Sequence, residues 1–295
     1  MTKLRLVTIE NICPDFFAFW EQAKAYSFDE QLHLWQALYE SKHRELIESY
    51  YQSFPQTQVP ERVEQAFDRF GDIVACMQEW VPQIEPLIVR ATDNSASLFD
   101  ITDFVLPYVV MVGWFISDGW STDSYQGKRT SFVALEEIAR KYPTFETRNL
   151  ETLLTHEAAH SHHYYCNASI WREYHIGEAL FLEGFAVFVS ARALPGASEA
   201  VYLCFQEGHE DWLKACENQW PALREQLLKD FDIAESARYA QYFQGPQKGP
   251  FPLRSGYFAG YRAVVALAQH YSLIEMAYWD LVFAAEKLRC VLQEM

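Results

Sequence analysis

A chain of 295 residues that is 50% apolar and 16% aromatic has ample material for a sizeable core, in one large domain or two small ones. Its formal net charge of −16 excludes a nucleic-acid partner and disfavours an anionic membrane surface, since both would repel it. The six cysteines (Cys13, Cys76, Cys166, Cys204, Cys216, Cys290) have no C-x-x-C spacing and read as reduced core thiols, not a disulfide framework.

Residues 1–10 turn acidic too early for the basic and apolar regions of a signal peptide, so a soluble, cytoplasmic protein is expected. Over residues 14–54 the apolar positions, Phe16, Phe17 and Trp20, then Leu34, Trp35 and Leu38, recur at helical spacing. A proline-bounded break at 56–60 precedes a helix over 61–80, which Pro82 and Pro86 are expected to end. The apolar run 104–116, rich in Val, Tyr and Phe, reads as a buried strand; its 13 residues are too few to span a bilayer. Residues 130–135 read as a second strand, able to pair with an extended peptide at a sheet edge. Helix resumes from Asn149, a candidate N-cap, to about Cys166, and again over 177–193 before Pro195 and Gly196. Residues 198–242 are mostly helical, 245–256 form a Gly- and Pro-rich loop, and 257–293 finish as helices. No long linker or repeat divides the chain. A single helix-rich α+β unit over 1–295 is expected, with an N-terminal helical part (1–100), the sheet and central helices (101–196) and a C-terminal helical part (197–295).

Chemistry concentrates in His156-Glu157-Ala158-Ala159-His160. Two histidines four apart share one helix face and can reach one metal ion, with the intervening glutamate beside it. Glu183 follows in an apolar segment, where a free carboxylate would be costly to bury and metal coordination removes that cost. Two His, a Glu and a water make the open four-coordinate site of a hydrolytic zinc enzyme. Glu178 lies five residues before Glu183, about 140° around the helix, so the two cannot both face the metal; Glu178 is read as a surface acid or one behind the ligands. His163 shares the metal-facing side of its helix and is read as a packed histidine, while His162 points elsewhere. The metzincin pattern requires Gly and His where this chain has His163 and Cys166, which excludes that class.

The H-E-x-x-H motif with Glu183-Gly184-Phe185-Ala186 downstream resembles the gluzincin type of zinc peptidase. More narrowly, the chain is similar to a bacterial family of uncharacterised predicted zinc-dependent proteases that pair H-E-x-x-H with a later E-G-x-A. The upstream segment 109–119 and Gly256-Tyr257-Phe258-Ala259-Gly260 fit the same family. The resemblance implies a zincin-like catalytic core in which His156, His160 and Glu183 hold Zn²⁺ and Glu157 is the general base. Tyr257 is the candidate oxyanion donor, and Arg254 a candidate for the same oxygen or for a substrate carboxylate. Many thermolysin-like enzymes carry an Asp four residues after the ligand Glu; here Val187 stands there. The expected activity is zinc-dependent hydrolysis of a peptide or protein substrate. Two rivals are hydrolysis of small amides and a non-catalytic zinc-binding regulator.

Overall fold

The computed structural model describes residues 6–168, 175–205, 208–244 and 249–295, the Gln56 side chain excepted. Residues 1–5 of the opening segment, 206–207 of the expected helical stretch and 245–248 of the expected loop lie outside the described residues. The contacts of the chain gather into two compact units: Met1–Arg90 with Asp103–Leu150, and Ala91–Thr102 with Glu151–Met295. In this grouping the sheet falls with the N-terminal helices and the H-E-x-x-H segment with the C-terminal ones. The fold is helix-rich α+β, with a small mixed sheet. None of the six cysteines is in a disulfide. Among the described residues no helix is long and apolar enough to cross a membrane.

The first unit opens with β1 (Val7–Asn11), followed by α1 (Cys13–Ala23), α2 (Phe28–Trp35), α3 (Arg44–Ser53) and most of α4 (Pro60–Leu98). Strand β1 went unforeseen because it lies at a sheet edge: only Val7 of its five residues is buried, so it lacks an apolar run. Helix α4 does not stop at Pro82 and Pro86 as expected but continues through both. A proline inside a helix forfeits one backbone hydrogen bond and costs about 3 kcal/mol. Around these two prolines, Met77, Trp80, Ile84, Leu87, Ile88 and Ala91 are all buried at helical spacing, and their packing outweighs that cost. Aromatic residues fill the core of this unit: Phe16 meets Phe70 at 4.9 Å and Trp35 meets Trp114 at 4.1 Å between ring centroids.

The sheet adds β2 (Leu106–Met111), β3 (Gly119–Thr122) and β4 (Thr130–Ala134) in the order β1-β2-β4-β3. Strands β1, β2 and β4 run parallel and β3 is antiparallel to β4. Strand β2 is buried apart from Pro107, as a strand paired on both sides should be. Strand β4, expected at 130–135, is also paired on both sides, so no peptide can be added to it. The edge adjoining it is β3, a four-residue, half-buried Gly-Trp-Ser-Thr run too short to carry much apolar signal. Leu135 does not extend the strand; it begins helix α5 (Leu135–Lys141), with acids in its first turn and bases in its last.

The segment leaving β2 is held by buried side-chain oxygens. Val112 N donates to Tyr39 Oη (3.1 Å), Trp114 N to Tyr50 Oη (2.9 Å) and Phe115 N to Glu136 Oε1 (3.3 Å), and Gly113 N also donates to Glu136. Four successive amides thus find acceptors without a neighbouring strand. A Cβ at Gly113 would stand 2.7 Å from Tyr50 Oη, so only glycine fits there. Glu136 is fully buried, and desolvation pushes its carboxyl up to about 8 despite the amide donors; Glu137 adds to the rise. Cys13 and Tyr50 lie in the same field.

Because the folded protein holds this proton where the unfolded chain has released it, the stabilisation is complete below about 4.5 and is lost as pH rises through about 8. Thermal unfolding across pH 5 to 9 is therefore expected to show a midpoint that falls more steeply with pH in the wild type than in Glu136→Gln. Parallel curves would mean that Glu136 is already ionised at the lower end of this range.

Candidate metal centre

The second unit contains most of α6 (Thr147–Cys166), with α7 (Ile176–Ala193), α8 (Glu199–Cys204), α9 (Glu210–Asn218), α10 (Trp220–Asp230), α11 (Ser236–Phe243), α12 (Ser255–Leu267), α13 (Leu273–Ala277) and α14 (Leu281–Glu294). Helix α6 starts two residues before Asn149, which is buried in the first turn and is not the N-cap; Thr147 N already donates to Phe145 O. The helix points His156 and His160 at Glu183 of α7. His156 Nε2 lies 3.0 Å from His160 Nε2 and 3.2 Å from Glu183 Oε2, and His160 Nε2 lies 3.4 Å from the same oxygen.

Three donor atoms at these separations form one face of a tetrahedron. Metal–ligand distances of about 2.0–2.1 Å place tetrahedral ligands roughly 3.3 Å apart. The protonation states suit the same role. Burial lowers His156 to about 4, leaving a neutral imidazole. Burial alone would raise Glu183, but His160 and the hydrogen bonds from both imidazoles outweigh it, and the carboxyl stays below its ordinary range, ionised. Two imidazoles and one carboxylate are the donor set for a borderline divalent cation, and the triad could hold one. His156 Nδ1 is buried with no partner among the described residues, and Val187 is fully buried and apolar.

Helix α7 is buried from Ile176 to Ser190, so Glu183 is a charge set in an apolar rod. Its first amides are accounted for: Ile176 N and Gly177 N donate to Ile233 O and Phe231 O, and His175 N donates to Glu178 Oε2 at 3.0 Å. Glu178 is therefore not a surface acid but a buried cap, and its spacing from His175 was the signal available in the sequence. His163 packs between the rings of Phe181 and Phe185, away from any ligand position, and both its nitrogens lack partners among the described residues. His162 turns to Ser95 Oγ at 2.8 Å and the Phe99 ring.

Helix α12 crosses α7 where glycine meets glycine. A Cβ at Gly184 would overlap the Gly260 carbonyl, and a Cβ at Gly260 would overlap Leu180 O. This contact places Tyr257, one turn before Gly260, with its ring 6.0 Å from the His156 ring. Phe205 lies on His156 as well, at 5.1 Å and nearly edge-on. Arg254 Cζ sits 4.3 Å from the centroid of Tyr257 and 5.3 Å from that of Phe205. Phe205 ends α8 in the left-handed region (φ 58°), and nothing in its local sequence marks it for this place. Glu157 is half-buried, next to His156 on α6.

A family model described as "Predicted Zn-dependent protease (DUF2268)" matches residues 117–280. No curated protein and no solved structure gives a significant match.

Metal analysis of purified variants is expected to find no bound zinc in Glu183→Ala, whereas Glu178→Ala keeps its zinc and loses about 1 kcal/mol of stability through the lost cap. The reverse pattern would move the third ligand to Glu178. In thermal unfolding, Gly260→Ala is expected to cost about 1–3 kcal/mol, because α12 must move off α7.

Proposed function

The chain belongs to the family of predicted Zn-dependent proteases, and from that premise we propose that it is a zinc-dependent metallopeptidase of the gluzincin type, with a zincin-like core. The single observation that carries this reading is the donor triangle of His156, His160 and Glu183 beside Glu157. A purely structural zinc site closes its fourth position with a protein ligand and has no use for a general base. Here three protein donors converge with a carboxylate one residue from the first.

His156, His160 and Glu183 hold the ion. When bound, zinc supplies a Lewis acid that polarises a carbonyl and brings the pKa of water towards about 7. Glu157 takes a proton from the attacking water and passes it to the leaving nitrogen as the C–N bond breaks. The amine departs neutral, and the water oxygen ends on the new carboxyl group. Tyr257 is the donor to the oxygen that becomes negative during attack, from a helix start held against α7 by the Gly184–Gly260 contact. Phe205 and Tyr257 cover the His156 side of the triad, which lowers the local dielectric and strengthens these interactions.

Zinc content and cleavage of casein and a peptide library test the reading. The wild type is expected to bind one zinc and cleave peptides. Glu157→Gln is expected to keep the zinc and lose about 10²–10⁴ in kcat. Tyr257→Phe is expected to lose about 10²–10³ in kcat, with unchanged zinc content. Zinc bound with no peptide turned over, by wild type and Glu157→Gln alike, would overturn the peptidase reading; turnover of small amides alone would replace it.

A further inference from the structure

Arg254 takes the N-cap position of α12 in the left-handed region, φ 61°. That conformation is sterically costly for a non-glycine residue, and such strain persists where the surroundings over-determine it, most often at binding sites. The surroundings here are two aromatic rings. The guanidinium stands over Tyr257 and Phe205, and each of those rings touches His156. Phe205 is itself held at φ 58°, so two strained residues form one clamp. Stacking engages the faces of a guanidinium, while its N–H donors point outward in the plane, the direction from which a carboxylate is bound bidentately.

The charge of the clamp is as informative as its shape. A chain with 40 acids and 24 Lys and Arg has placed a permanent cation one ring away from a metal-ligating histidine. A bound dication would repel it. A substrate anion within reach of both would be drawn to the pair. An extended chain advances about 3.3 Å per residue, so that anion belongs to a residue close to the cleaved bond, not a remote one.

We propose that Arg254 is the specificity residue of the site and binds a substrate carboxylate next to the bond that is cut. Two kinds of peptide carry that group: one with a free C-terminus on the leaving side, and one with Asp or Glu there. The inference rests on the peptidase reading, and binding separates the two.

The zinc-loaded Glu157→Gln full chain is titrated with N-acetyl tripeptides in matched pairs: free acid against C-terminal amide, and C-amidated Asp or Glu against Asn or Gln. The carboxylate member of at least one pair is expected to bind more than tenfold tighter. Adding Arg254→Asn, a residue that tolerates the left-handed conformation, is expected to bring that ratio close to one, while Arg254→Lys keeps part of it. In the protein with Glu157 intact, kcat/KM for the same pairs is expected to follow the same ratios. A preference in the first pair alone means exopeptidase-type recognition of the chain end, and one in the second pair alone means recognition of an acidic side chain; both support the proposal. Equal binding within every pair, or a preference that survives Arg254→Asn in a protein with unchanged zinc content and melting temperature, overturns it. Carboxylate-selective binding that depends on Arg254, without turnover of any peptide by the wild type, upholds the inference and rejects the peptidase reading.

Discussion

A charged carboxylate inside an apolar helix is the constraint around which the second unit is arranged. Helix α7 is buried along fifteen consecutive residues, and Glu183 sits among them as an ion. An unpaired buried charge of this kind is among the costliest features a fold can contain. The two imidazoles at 3.2 and 3.4 Å offset that cost, and the ordering of α6 against α7 follows from it. The result is a donor triangle with the dimensions of a metal site.

Backbone contact does for α12 what charge does for α7. Where Gly184 and Gly260 meet, no side chain separates the two helices. The close crossing carries Tyr257 and Arg254 to the His156 face, and Phe205 packs on the same guanidinium. One positive group and one phenol, both from the start of α12, are thereby brought to the histidine that Glu157 follows on α6. Such a set can bind an anionic group, stabilise a developing negative charge and move a proton, which are the separate tasks of amide hydrolysis.

The first unit meets its own polar constraint in a different way. Four amides beyond β2 are satisfied by two tyrosine hydroxyls and a buried carboxyl. Among the described residues this carboxyl has no cationic partner, and burial prevails over the amide donors, so its pKa rises. Glu183 and Glu136 are both buried glutamates, yet they shift in opposite directions. The difference lies in what faces them: imidazoles in one case, neutral donors and other acids in the other.

The local sequence carried the parts of this protein that depend on a single turn or a single strand. The four-residue spacing of His156 and His160, the apolar flanks of Glu183 and the strands at 106–111 and 130–134 were all legible, because helical and extended periodicities are properties of adjacent residues. Nothing in the sequence marks Gly184 and Gly260 as each other's partner. Only the tertiary structure decided that α4 runs through two prolines, that β4 is internal while β3 is the edge, and that Phe205 and Tyr257 hold Arg254 beside His156. Each of these was settled by packing or pairing with partners that local periodicity does not identify. A chain's pattern reports which face an element buries; it does not report what that face will meet.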